Sequence, residues 1–283
     1  MGQLIDGKAI AKKINEQTAA RVTALKQKGL APKLAVVLVG DDPASRTYVK
    51  NKGKAAKTIG LEFALHEIDG STSTTILLEK IFELQRDKAL SGLIVQLPLP
   101  AHIDTNAILN SISPERDVDC LTDANIGKLV MKTNSIAPPT PSAVMSILEE
   151  LQIDPVGKNV TIIGVGPLVG KPLAIMLMNA RASVTTCNSK TKDTKEKCLA
   201  ADIIVTGVGR KNVLRGDMVR VGAIVIDTGV DFVDGKMSGD VNVAEVIKKA
   251  AYVTPTPGGV GPITVARLLA NTVSCAKKLI AYS

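Results

Sequence analysis

Short runs of β-branched and aliphatic residues recur along this chain, each followed by a segment with helical apolar spacing or by a glycine-rich turn. KLAVVLVG (33–40), LEFALHEI (61–68) and SGLIVQLPLP (91–100) are the runs of the first half. NVTII at the head of 159–180, SVTTC (183–187), DIIVTGVG (202–209) and AIVIDTGV (223–230) follow in the second. KLAVVLVG, a short β-branched run, reads as a buried strand and the others as further strands. Residues 7–29, 43–59 and 73–87 read as the intervening helices, with Gly29 and Gly60 at two of the ends and Pro43 near a start. Strand, helix, strand, helix, strand predicts a parallel sheet with covering helices.

The alternation breaks once. Residues 111–141 hold Pro114, Pro138, Pro139 and Pro141 with little periodicity, and TPSAVMSILEELQ (140–152) then resumes as a helix. At about 100–200 residues per domain, the 283 residues suit two modest α/β domains with a seam near 115–140. PGGVGPITVARLLANTVSCAKKLI (257–280) reads as a glycine loop entering a long helix, expected to return onto the first domain. The expected fold class is α/β, two domains with a cleft between them.

Composition removes other classes. Apolar residues at 45% and charged residues at 22% are globular values. No run reaches the roughly 18–20 apolar residues of a membrane span. The first residues, MGQLIDGKAIAKKI, lack a signal-peptide core, so a cytoplasmic protein is expected. Cys120, Cys187, Cys198 and Cys275 form no CxxC, and the only histidines are His66 and His102, so no His- or Cys-based metal site is expected. Three Phe, three Tyr and no Trp, scattered along the chain, supply no stacking platform for nucleic acid. The net charge of +8 suits a small anionic ligand.

Gly164-Val165-Gly166-Pro167-Leu168-Val169-Gly170 follows a strand and opens a helix. Such a turn lets backbone N–H groups approach a pyrophosphate, and the helix N-terminus adds about half a positive charge. The spacing is GxGxxxG rather than GxGxxG, but with strands repeating after it the second domain reads as a Rossmann-type dinucleotide-binding domain. NAD-specific sites place an acid at the end of the next strand, about 20 residues on. Here that strand ends Cys187-Asn188-Ser189-Lys190-Thr191-Lys192, with two lysines and no acid. That favours a 2′-phosphate, hence NADP; the plain alternative is that both lysines are solvated loop charges.

In the first half, Tyr48 and Lys52 stand four apart on one helix face. A buried lysine can move protons and a tyrosine can stack; in a helix with Lys50, Lys54 and Lys57, a surface pair is the competing reading. Gln96 closes a strand, where open α/β sheets bind ligands, and the Gly40–Ser45 turn follows another strand end on the same rim. Asp117-Val118-Asp119 lies in the seam, where either acid can bind an NH/NH2 edge of a heterocycle or cap a turn.

Taken in order, VGDDPASRTYVKNKGKAA (39–56), GLIVQLPLP (92–100), PERDVDCLTDANIGKL (114–129), GVGPLVGKP (164–172), GAIVIDTGV (222–230), GDV (239–241) and TPTPGGVGPITVARLLANT (254–272) resemble the bifunctional methylenetetrahydrofolate dehydrogenase/methenyltetrahydrofolate cyclohydrolase family nearly end to end. The resemblance implies oxidation of 5,10-methylenetetrahydrofolate with NADP, or NAD in some members, then hydrolysis of the methenyl form to 10-formyltetrahydrofolate. It implies a folate-binding catalytic domain over 1–138 with a returning helix 262–283, and an NAD(P)-binding domain over 139–261. It implies Lys52 as main catalytic residue, Tyr48 stacking on the folate, Gln96 holding Lys52, and Asp119 on the pterin amino-pyrimidine edge. Val95, Gln96 and Leu97 with Pro257, Gly258, Gly259, Val260 and Gly261 would line the folate pocket. Gly164, Val165, Gly166, Ser189 and Val230 would contact the dinucleotide. No metal is implied, folates with polyglutamate tails are the expected partners, and a homodimer without nucleic-acid or membrane partners is expected.

The sequence departs from the family pattern at Cys120 (commonly Gly), Pro139 (commonly Cys), Val165-Gly166 (commonly Arg-Ser) and Asn188 (commonly His). Those in the cofactor half leave NAD permitted and admit an enzyme that is mainly a cyclohydrolase. A short-chain dehydrogenase also pairs Tyr-x-x-x-Lys with a glycine turn, but there the glycine turn comes first, and here it comes second.

Overall fold

A computed structural model describes residues 2–233 and 236–281. Its elements run β1 (Gln3–Leu4), α1 (Gly7–Lys26), β2 (Lys33–Val39), α2 (Pro43–Thr58), β3 (Glu62–Ile68), α3 (Thr74–Gln85) and β4 (Leu90–Val95). Three helices follow, α4 (Thr105–Asn110), α5 (Asp123–Val130) and α6 (Pro139–Glu150). Then come β5 (Asn159–Ile163), α7 (Gly170–Asn179), β6 (Ser183–Cys187), α8 (Thr194–Leu199), β7 (Ile203–Thr206) and β8 (Ile224–Asp227). The chain continues through β9 (Asp231–Val233), β10 (Lys236–Ser238), α9 (Val243–Val246) and β11 (Tyr252–Val253) to α10 (Val260–Ala281).

Two compact units result. One joins Lys13–Ala137 with the chain from Val265 on; the other joins the chain up to Lys12 with Pro138–Thr264. In the former, β2 is the central strand of a parallel sheet of order β3-β2-β4. Its unbroken apolar run has a direct cause: side chains alternate between two buried faces. Leu34, Val36 and Leu38 join a core with Leu61, Ile94, Leu268, Leu269 and Val273. Ala35, Val37 and Val39 join another with Leu77, Ile81, Leu93 and Ile108. β4 ends at Val95, short of the predicted 91–100, because Pro98 and Pro100 have no N–H to donate to a ladder.

The other unit carries a parallel sheet of order β1-β11-β8-β7-β5-β6 around Ile204, Leu214, Val225, Val246 and Val253. Residues 2–12 belong here rather than with the remainder of 1–138, because Gln3–Leu4 pairs with Tyr252–Val253 as an edge strand. Two residues are too short to show a strand period. Helices α4, just before the aperiodic seam, and α5, within it, are likewise too short to show a period. They are held by their caps: Asp104 accepts from Ala107 N at 3.0 Å and Thr122 Oγ1 from Asn125 N at 3.2 Å.

Candidate active site

The helix carrying Tyr48 and Lys52 is set by its ends and one face. Asp42 caps it, accepting from Ser45 N at 2.8 Å, and Pro43 opens it. Ser45, Val49, Gly53 and Ala56 form its buried stripe. Tyr48 and Lys52 each precede a member of that stripe by one position, so both lie partly buried at its border. The surface-pair reading therefore gives way for Lys52, whose Nζ donates to Gln96 Oε1 at 3.0 Å.

Gln96 is fixed at both ends. Its backbone N–H donates to Val37 O at 2.9 Å, anchoring it beside β2, and its Nε2 donates to Leu97 O at 2.7 Å. Val95 is buried at the strand end and Leu97 partly so. Burial pushes the Lys52 pKa below its ordinary value, and the charge of Asp119 opposes that shift. Burial pushes the Asp119 carboxyl up, against the pull of Lys52 and with the push of Asp117. Burial also raises the Tyr48 phenol.

The two seam acids have different jobs. Asp117 is buried, and its carboxylate accepts from Leu121 N at 3.1 Å, Thr122 N at 2.9 Å, Thr122 Oγ1 at 2.8 Å and Asn125 Nδ2 at 2.9 Å. It is the turn residue. Asp119 makes no hydrogen bond among the described residues, so its carboxylate keeps its acceptor capacity for a ligand. The segment between is tied down twice: Leu93 N donates to Arg116 O at 2.8 Å, and Asn271 Nδ2 to the carbonyls of Val118 and Ala137, both at 2.9 Å. Gly92 admits the Val118 side chain, since a Cβ there would stand 2.6 Å from Val118 Cγ1. Sequence reasoning missed the supporting roles of Asn125 and Asn271, because the amides serve contacts distant in sequence.

The remaining predicted residues lie in the other unit. Gly164 has φ 105°, and a Cβ there would meet the Gly207 carbonyl; a Cβ at Gly170 would meet the Gly164 carbonyl. Nothing lies within 4 Å of a Cβ at Gly166. The outer glycines thus close the turn on itself, and the middle one leaves open space above it. No side chain caps α7. Ser189 is exposed on a turn in which Asn188 Oδ1 accepts from Lys190 N at 2.9 Å, and Val230 is exposed after β8. In the loop before α10, Pro257 and Gly261 are exposed while Gly259 and Val260 are buried. Gly258 has φ 100° and accepts from Gly7 N through its carbonyl at 3.1 Å. Among the described residues no group of three or more His, Cys, Asp or Glu is placed to hold a metal, and no helix is long and apolar enough to cross a membrane.

The catalytic domain of tetrahydrofolate dehydrogenase/cyclohydrolase matches residues 5–119, and the NAD(P)-binding domain of the same family matches residues 138–280. The chain belongs to the tetrahydrofolate dehydrogenase/cyclohydrolase family. It is 45% identical over 279 residues to the bifunctional protein FolD of Bacillus pumilus, covering 98% of this chain and 99% of that one. The solved FolD methylenetetrahydrofolate dehydrogenase/cyclohydrolase of Campylobacter jejuni superposes with a TM-score of 0.96 at 45% identity, over 98% of this chain and 99% of that one. The Trypanosoma brucei enzyme, solved with NADP cofactor and inhibitor, gives 0.95 at 37% identity over 99% and 98%.

Cys120 and Pro139 each have a defined local setting. Cys120 sits at φ 56°, in the left-handed region that favours glycine, and is fully buried with its Sγ 3.8 Å from Ile136 O. Burial pushes its thiol up to about 12, so it is an inert packing group. Pro139 opens α6, where a proline needs no hydrogen-bond partner.

Proposed function

We propose that this dehydrogenase/cyclohydrolase oxidises 5,10-methylenetetrahydrofolate to the 5,10-methenyl form with NADP and hydrolyses that form to 10-formyltetrahydrofolate, with Lys52 as the proton-handling residue. The observation that carries the reading is the partly buried Lys52 amine held by Gln96 Oε1 at 3.0 Å, with the Asp119 carboxylate, which accepts no hydrogen bond among the described residues, acting on its charge. Burial lowers the Lys52 pKa, so a larger share of the amine is neutral near pH 7 than for a solvated lysine. The neutral amine takes a proton from the water that adds to the methenyl cation. Gln96 Oε1 accepts from the amine before and after that transfer, which keeps Nζ in place.

Asp119 accepts from the amino-pyrimidine edge of the pterin. Tyr48, partly buried one turn before Lys52, offers its ring to the folate. Val95, Gln96 and Leu97 line the same substrate. When bound, the dinucleotide supplies a hydride acceptor. Gly164, Val165, Gly166, Ser189 and Val230 would hold it, and the uncapped N-terminus of α7 with open space at Gly166 fits a pyrophosphate. Lys190 and Lys192, exposed and without an ion pair among the described residues, would face a 2′-phosphate. The excess of 35 basic over 27 acidic residues suits polyglutamylated folate.

Steady-state kinetics on methylenetetrahydrofolate with each dinucleotide, and on methenyltetrahydrofolate without one, test the reading. Both activities are expected. Reduction of neither dinucleotide would overturn the dehydrogenase half, and absence of hydrolysis the Lys52 half. Val165, Gly166 and Asn188 favour one variation, a mainly cyclohydrolytic or NAD-using enzyme, which the same rates separate. A homodimer belongs to this reading, and its mass is checked by light scattering.

A further inference from the structure

Two buried acids of the nucleotide unit have no part in the chemistry above. Asp227 ends β8, and Asp240 follows the β10 strand; they are 2% and 0% exposed. Burying a carboxylate is costly unless donors surround it. Asp240 takes Val208 N at 2.7 Å and Arg210 N at 2.8 Å. Asp227 takes Gly229 N at 2.9 Å, Val241 N at 3.0 Å and Thr206 Oγ1 at 2.9 Å. Asp240 thus binds the backbone of the loop after β7, and Asp227 that of the segments after β8 and β10.

The two are interlocked through glycines. A Cβ at Gly229, two residues after Asp227, would overlap the Asp240 carboxylate. A Cβ at Gly239, the residue before Asp240, would overlap the Asp227 carboxylate. Each acid therefore occupies the space left by the glycine beside the other. Asp240 also holds the next loop through its own carbonyl, which accepts from Val213 N at 2.7 Å. Thr228 closes the set, donating from both its N and Oγ1 to Thr206 O, at 2.8 Å and 2.6 Å.

The loops so joined follow β7 and β8 at the carboxyl end of a parallel sheet, where such sheets bind their ligands. They present Val208 and Val230, which are 46% and 39% exposed although aliphatic. We propose that Asp227 and Asp240 are positioning residues that pre-form this rim of the dinucleotide site, holding residues 207–210 and 228–230 in their bound arrangement before ligand arrives. The inference rests on the reading of this unit as the dinucleotide-binding one. Preorganisation of this kind raises affinity by removing the ordering cost from the binding step.

The test is direct binding by calorimetry, with NADP and with 10-formyltetrahydrofolate as separate probes. In Asp240→Asn the NADP Kd is expected to rise at least tenfold while the folate Kd stays within twofold. Gly229→Ala, which pushes on the same carboxylate, should do the same, and the double variant should be no weaker than the worse single one. Equal NADP affinity in folded variants, or parallel loss of both ligands, overturns the proposal. Hydrogen exchange on the unaltered protein gives a measurement independent of any variant. The Val208 and Arg210 amides should be protected without ligand, and free exchange there overturns the proposal. Failure of the unaltered protein to bind either NADP or NAD would instead overturn the functional reading.

Discussion

Gln96 faces Lys52 with its acceptor because its donor is already committed: Nε2 donates to Leu97 O at 2.7 Å, leaving Oε1 for Lys52 Nζ at 3.0 Å. An amide anchored in this way tolerates both the amine and the ammonium. It orients the lysine without neutralising it, as a carboxylate would. Gln96→Glu should therefore raise the Lys52 pKa and move the rising limb of the pH–rate profile for methenyl hydrolysis to higher pH. An unmoved limb would show that the two side chains do not act together.

Lys52→Met should lower hydrolysis by about 10²–10⁴-fold, the range of general acid–base contributions. The fold should not suffer. A lysine whose pKa is lowered by burial costs stability wherever its unfolded form is protonated, and that cost fades only as pH rises from the folded value toward the ordinary one. At neutral pH the methionine variant is expected to melt at or above the parent temperature, as read by calorimetry. A large fall in Tm would identify Lys52 as a structural residue.

Asp119→Asn separates affinity from charge. Folate affinity should fall by about 1.5–3 kcal/mol, the range for hydrogen bonds to charged groups, with the NADP Kd unchanged. The variant also removes the charge that holds the Lys52 pKa up. The rising limb of the hydrolysis profile should therefore move to lower pH, opposite in sign to Gln96→Glu. Titration calorimetry and a pH series check both.

Asp117→Ala strips the acceptor from four donors in a buried turn. Leaving buried donors unsatisfied costs about 1–3 kcal/mol each, so a loss of roughly 3 kcal/mol or more is expected in urea unfolding. A loss below about 0.5 kcal/mol, the size of ordinary surface substitutions, would count against the turn role.

Residues 188–192 after β6 include no carboxylate to repel a 2′-phosphate, and Asp193 beyond them is paired with Lys197, yet Val165 and Gly166 offer no side-chain charge to hold one. A solvated Lys190–phosphate pair is worth about 0.2–1 kcal/mol and is screened by salt. The kcat/KM preference for NADP over NAD should therefore be only a few-fold and should shrink at high salt. Val165→Arg should enlarge it, because a guanidinium grips phosphate bidentately. A strong, salt-independent preference for NAD would show that the lysines point elsewhere.

Local pattern alone determined a large part of this protein. Unbroken apolar runs such as 34–39 specified strands buried on both faces, and their alternation with helical segments specified parallel sheets, because both periods are properties of the backbone. The order of the Tyr48–Lys52 helix, the Gln96 strand end and the glycine turns carried the family with its catalytic and NAD(P)-binding domains. Tertiary structure alone decided how the charged groups divide their work. Asp117 and Asp119 are two positions apart and chemically alike, and only the donors around Asp117 make it the turn residue, while the Asp119 carboxylate accepts no hydrogen bond among the described residues. Gln3–Leu4 joins Tyr252–Val253, some 249 positions away, and Asp240 fits over Gly229. Such contacts depend on where the chain has been folded to, and no period along the sequence encodes them.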